Sequence, residues 1–121
     1  LADSADVRFL GHVDPADLPA IYAAAELLAY PSEDEGFGLP VLEAMSAGTP
    51  VVTSRGTATE DVAGGAAVLV DPYDTTSITA GITEALADRD RLIELGRQRA
   101  AEHTWAATAA ATAAAYREAL E

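Results

Sequence analysis

EDEGFGLPVLEAMSAGTPVVTS, residues 33–54, joins an acidic approach, a glycine-rich turn, a proline-opened helix, a glycine stop and a β-branched strand. Gly36 and Gly38 flank Phe37, and glycines this close let the backbone take positive φ and come near a ligand with no Cβ in the way. Pro40 suits the first helical position, where its missing N–H costs nothing and its φ is already helical. The spacing predicts a helix to about Ala47, stopped by Gly48 and by Pro50 beyond it. Glu43 is then expected in the first turn, at the positive end of the helix dipole, where anions and phosphates are attracted. Val51 to Ser54 reads as the strand that follows.

Outward from this stretch, strand and helix alternate. Val7 to Leu10 reads as a strand ended by Gly11. Asp14 and Pro15 read as N-cap and first residue of a helix whose apolar face is Leu18, Ile21, Tyr22 and Ala25. Leu27 to Tyr30 reads as a strand closed by Pro31. Downstream, Thr57 and Glu60 fit an S/T-x-x-E capping box that opens a short helix to about Ala63. Ala67 to Val70 reads as a fourth strand, and Asp74 as the cap of a helix burying Ile78, Ile82 and Leu86. A helix from about Asp90 carries Leu92, Ile93 and Leu95, and its Gly96 marks a close helix contact. The chain ends in an alanine-rich helix, about residues 104–120, behind His103 and Trp105. The alternation is that of right-handed βαβ units, so the expected fold class is α/β: a parallel, Rossmann-like sheet of about four strands with helices on both faces.

Composition narrows the function. The 121 residues fit one domain at most. The formal charge is −13, and all seven basic residues are arginines, which argues against binding nucleic acid or an anionic membrane. There is no cysteine, no apolar run long enough to span a bilayer and no leader pattern, so the expectation is a soluble, cytoplasmic protein without disulfides. No Asp/His cluster has metal-ligand spacing, so neither a metal nor a cofactor is expected.

Glu35 and Glu43 are separated by seven residues, in a frame filled as E-G-F-G-L-P-V-L-E and followed by A-M-S-A-G-T-P-V-V. This E-x7-E frame resembles the donor-site motif of retaining GT-B glycosyltransferases, group 1 (family 4), and the resemblance extends from V-R-F-L-G-H-V to the tryptophan helix. It implies a partial C-terminal, donor-binding domain, residues 1–121. Carried over by position, Glu43 matches the glutamate that binds the ribose hydroxyls. Glu35, the candidate catalytic residue, matches the one facing the donor sugar. Gly36, Phe37, Gly38 and Leu39 match the loop touching sugar and diphosphate, and His12 and Val13 the loop beside the base. The implied reaction is transfer of a sugar from a nucleotide diphosphate sugar to an acceptor, with retention and without a metal. The family's glycine-rich turn and Arg/Lys pair for the donor phosphates do not precede Val7, so this chain is expected to bind donor only and to be inactive alone. The acceptor would be met through a missing N-terminal domain.

Other readings stand beside this one. Glu43 can simply complement a helix dipole, Glu60 fits a cap as well as a family glutamate, and His12 and His103 fit solvated positions. A GT-B relative that is not a transferase (a nucleotide-sugar epimerase or a phosphorylase) and a free-standing binding module are the alternatives for the whole. In the family's strand order, 3-2-1-4-5-6, the strand Val7 to Leu10 and its neighbour Leu27 to Tyr30 would be separated by two absent strands. Either Val7 to Leu10 is expected to slide in beside Leu27 to Tyr30, or a second copy donates strands across the exposed edge, forming a homodimer.

Overall fold

The computed structural model describes residues 6–120. Its sheet has three parallel strands in consecutive order: β1 (Leu28–Tyr30), β2 (Val51–Ser54) and β3 (Val68–Val70). Leu28 pairs with Val51 and Tyr30 with Thr53, while Val52 pairs with Val68 and Ser54 with Val70. Six helices accompany them: α1 (Leu18–Ala24), α2 (Leu39–Ser46), α3 (Ala58–Ala63), α4 (Thr75–Ala87), α5 (Arg89–Glu102) and α6 (Trp105–Ala119).

β2 is buried along its whole length, and its alternation divides the core in two. Val51 packs with Val41, Ala44 and Met45 of α2 and with Val62 and Ala63 of α3. Val52 packs with Val68, Val70 and Ala85, adding Leu92 of α5. The period-2 pleat of one strand thus sends successive valines to helices on opposite faces. α4 meets the sheet at Gly81, where a Cβ would lie 3.4 Å from both Val52 Cγ1 and Val68 Cγ1 and inside the contact limit of Val70 Cγ1. α5 crosses α2 at Gly96, whose absent Cβ leaves room for Met45 Cγ at 3.1 Å; the glycine does mark a close helix contact. From α5, Arg99 donates to the carbonyls of Asp61 and Val62 at 2.8 and 2.9 Å, tying down the end of α3.

Several expectations are corrected. The sheet has three strands, not four. Val7 to Leu10 is unpaired, with Phe9 82% exposed, so it does not slide in beside β1; β1, β2 and β3 are contiguous, as the last three strands of the expected order would be. The reason lies in α1, which packs on α2 and is hooked there by Thr49 Oγ1, which donates to the Tyr22 carbonyl at 2.5 Å. α1 is also shorter than the apolar spacing predicts. Helix continued from Pro15 would place Pro19 in its interior, where the ring clashes with the carbonyl four residues back. Instead Asp14 closes a turn, accepting from the Ala16 N–H at 2.9 Å, and the helix starts afresh with Pro19 in its first turn.

On α4, Leu86 is exposed and Gly81 and Ala85 are the buried residues, with Ile78 and Ile82 half-buried beside them. Small residues, not the aliphatic ones, set this contact face. The capping box at α3 is displaced by one residue. Glu60 Oε2 accepts from the Gly56 N–H at 2.6 Å, and Thr57 Oγ1 pairs with Thr59 Oγ1 at 2.7 Å instead of capping the helix.

Candidate functional site

The loop from β1 to α2 enters its helix through Gly38, the N-cap, at φ 93°. Gly38 is the member of the glycine pair that needs the left-handed conformation; Gly36 has negative φ, with open space where a Cβ would stand. A Cβ on Gly38 would sit 2.7 Å from Thr59 Cγ2, so the loop is pressed onto α3 as well as turned. Beneath it lies a buried hydroxyl cluster. Thr53 Oγ1 is 2.8 Å from Thr59 Oγ1 and 3.0 Å from the Tyr30 carbonyl, and Ser54 Oγ donates to the Ser32 carbonyl at 2.5 Å. No buried side-chain polar atom among the described residues lacks a partner, so the cluster is a closed support for the loop.

α2 begins one residue earlier than Pro40 suggests, at Leu39, and Pro40 takes the second position. Glu43 therefore falls in the second turn, and no acidic residue occupies the first. The dipole interaction fades within one turn, so it does not account for Glu43. Its carboxylate instead accepts from the Tyr22 hydroxyl of α1 at 3.0 Å. Glu35, half-buried in the loop, accepts from the Tyr30 hydroxyl of β1 at 2.6 Å. Each glutamate of the E-x7-E frame is thus held by a tyrosine.

Both tyrosines are perturbed. Burial, then the hydrogen bond that the hydroxyl donates to Glu43, pushes the Tyr22 hydroxyl from its ordinary 10 to about 12. The hydrogen bond to Glu35, then burial, pushes Tyr30 upward. The folded state holds these protons more tightly than the unfolded chain does. The stabilisation is therefore complete below pH 10 and is lost as the pH rises through about 12 for Tyr22. An absorbance titration of tyrosinate is expected to show a late step near pH 12 that moves down in Glu43→Gln. A titration unchanged by that substitution would mean that Tyr22 and Glu43 do not interact in solution.

A cleft of about 910 Å³ opens between α1, the glycine loop, α2 and the start of α6. Glu43 lies in its wall together with Leu18, Tyr22, Phe37, Leu39, Leu42 and Trp105. This is the size and mostly apolar character of a small-molecule site, with one carboxylate as the directional group. Of the sequence-derived candidates, the structure brings Phe37, Leu39 and Glu43 together in the cleft. Glu35, Gly36 and Gly38 belong to the adjoining loop, while His12 is exposed and Val13 half-buried outside the cleft wall. No group of acidic and histidine side chains able to hold a metal occurs among the described residues, and no helix among them is long and apolar enough to cross a membrane.

Sequence reasoning missed Tyr22 and Tyr30 as partners, treating one as part of an apolar face and the other as a strand end. No spacing in the sequence marks these pairs, because one bond spans 21 residues and the other five, and each joins elements that only the fold brings together.

Comparison with known proteins agrees with this architecture. The family model described as "Glycosyl transferases group 1" matches residues 3–101. The O-antigen chain mannosyltransferase B of Escherichia coli is 43% identical over 114 residues, covering 92% of this chain and 30% of that protein. A D-inositol 3-phosphate glycosyltransferase of Corynebacterium efficiens is 39% identical over 119 residues, covering 93% of this chain and 28% of its own length. Among solved structures, sucrose-phosphate synthase from Thermosynechococcus elongatus superposes with a TM-score of 0.79 at 33% identity, over 93% of this chain and 30% of that one. The chain spans no more than 30% of the length of these relatives. Its fold is that of a GT-B Rossmann-like domain, and the chain belongs to the group 1 glycosyl transferases.

Proposed function

We propose that residues 1–121 form part of the donor-binding domain of a retaining glycosyltransferase, which transfers a sugar from a nucleotide diphosphate sugar to an acceptor held mainly by another part of the protein. The observation that carries this reading is the placement of Glu43 in the apolar cleft beside the start of α2, adjoining the loop that holds Glu35. A carboxylate can accept from both hydroxyls of a vicinal diol, which suits Glu43 to a ribose and Glu35 to the hydroxyls of the transferred sugar. Phe37 and Leu39 supply contact surface, and backbone amides at the start of α2 suit a phosphoryl oxygen.

Charge sets a limit on what the chain does by itself. The leaving diphosphate must be stabilised as negative charge develops, and no arginine lines the cleft among the described residues. With a formal charge of −13, the protein needs cations from elsewhere for turnover, and the chain alone is expected to be inactive. Among the described residues β1 pairs only with β2, and we assign its other edge to further strands of the same domain.

The test uses the full-length protein that carries this chain, a panel of ADP, GDP and UDP, and their glucose and mannose conjugates. Glu43→Ala is expected to weaken nucleoside diphosphate binding by ~1.5–3 kcal/mol, the range for hydrogen bonds to charged groups. Glu35→Ala is expected to spare that affinity and to depress turnover of the sugar donor. Equal nucleotide losses in the two variants by calorimetry would contradict these roles, and an inverted anomeric product would contradict retention.

A further inference from the structure

We propose that Tyr22 and Tyr30 are positioning residues, each fixing one glutamate of the site through a single oxygen so that the rest of the carboxylate is presented, pre-oriented, to a ligand diol. The inference rests on the donor-site reading above and deepens it.

The two contacts form a nested pair. Tyr22 reaches Glu43 across 21 residues at 3.0 Å, and Tyr30 reaches Glu35 across five residues at 2.6 Å. Both end on Oε2. A carboxylate offers about four lone-pair sites, so one phenol proton leaves it able to accept both hydroxyls of a diol. A phenol is a suitable holder because it is a donor on a rigid ring with two side-chain torsions, whereas a free glutamate samples three.

What makes the tyrosines holders is that their own backbones are fixed from the core. The Tyr22 carbonyl accepts from Thr49 Oγ1 at 2.5 Å, and Thr49 is buried in the turn between α2 and β2. Tyr30 lies in β1, paired with Thr53 of the fully buried central strand. The glutamates are less constrained: Glu35 lies in a loop and Glu43 on an exposed turn of α2. Orientation thus runs from the buried threonines through the tyrosines to the carboxylates. Holding catalytic or binding groups in this way removes an ordering cost from the binding step.

Tyr22→Phe and Tyr30→Phe keep the ring and remove the donor. In the full-length protein, with whichever of ADP, GDP and UDP it binds, Tyr22→Phe is expected to weaken the nucleotide about 5-fold, near the net worth of one hydrogen bond. Tyr30→Phe is expected to leave nucleotide affinity unchanged and to lower kcat for the sugar donor by a similar factor. The decisive arm is the double-mutant cycle. In a Glu43→Ala background Tyr22→Phe should have no further effect on nucleotide binding, and in a Glu35→Ala background Tyr30→Phe none on kcat, because each tyrosine acts through its glutamate. Losses that add in those backgrounds assign the tyrosines a general packing role and overturn the proposal. Wild-type behaviour of both Phe variants, while the Glu→Ala variants are impaired, overturns the positioning roles and leaves the donor site standing. If the Glu→Ala variants are also unimpaired, or none of the three nucleotides binds, the donor-site reading falls and this inference with it. Where a Phe variant melts early, the same cycle is measured below that variant's melting midpoint, with the folded fraction set by circular dichroism, and losses that add there overturn the proposal as before.

Discussion

Gly81→Val is expected to be the most damaging single substitution in the chain, lowering the midpoint of urea unfolding far more than any surface change. Helix propensity argues the other way, since glycine inside α4 costs ~1 kcal/mol against alanine. Packing decides. The missing Cβ of Gly81 is the space into which Val70 Cγ1 projects, with Val52 Cγ1 and Val68 Cγ1 each 3.4 Å from it. All three valines are buried and belong to one cluster, so none can swing into solvent to make room. Alanine there is expected to lose ~1–3 kcal/mol to overpacking, more than the propensity gain returns. Valine adds two further methyl groups to the same contact and should exceed that range, a large share of the ~5–15 kcal/mol that holds a domain together. An alanine variant more stable than the wild type would mean that α4 stands off the sheet.

The second large effect is expected at Gly38, and here the structure changes the sequence-based expectation. Two glycines around Phe37 suggest a substitution that harms ligand binding far more than stability. The geometry couples the two. Gly38 has φ 93° and is buried, and a Cβ there lies 2.7 Å from Thr59 Cγ2. A β-branched residue at positive φ is strained by ~1–3 kcal/mol before any contact is counted. Thr59 is itself fully buried and joined to Thr53, so it yields only by disturbing the hydroxyl cluster under the loop. Gly38→Val is therefore expected to lower the melting temperature clearly and to abolish donor turnover together. A double variant, Gly38→Ala with Thr59→Ser, removes the colliding methyl and keeps the hydroxyl, so it should recover stability relative to Gly38→Ala while the backbone strain persists. No recovery in the double variant would remove Thr59 from the account.

What could be read in advance follows from how local its cause is. β2 is found with both ends correct, since Gly48, Thr49 and Pro50 bound it on one side and Arg55 and Gly56 on the other, and β-branched residues fill it. The cap at Asp74 holds, with its carboxylate accepting from the Thr76 N–H at 2.9 Å. Val7 to Leu10 has strand composition, but pairing needs an edge that composition does not reveal. α1 begins late because a second proline, Pro19, competes with the cap at Asp14. Leu86 has the period of a buried residue, yet α4 turns its glycine and alanine inward because only they allow the helix so close to the sheet. The Tyr22–Glu43 and Tyr30–Glu35 bonds escape a periodicity argument altogether, because they depend on where a phenol oxygen ends after the chain has crossed from one element to another.

α6 places Trp105 at 89% exposure and buries none of its residues. Its fifteen residues hold themselves together through the Thr104 cap, which accepts from the Ala107 N–H at 3.0 Å, and through a run of alanines. A helix of that length and composition is near the margin of independent stability in water. In hydrogen exchange on this chain by itself it is therefore expected to open as its own unit, its amides exchanging at a rate set by local fraying, while those of β2 and α2 wait for the global transition. It also adds almost nothing to the heat capacity change of unfolding, which scales with apolar surface newly wetted. Calorimetry on this chain is therefore expected to report the sheet and its packed helices, and helical circular dichroism to count fifteen further residues that melt without a cooperative transition of their own.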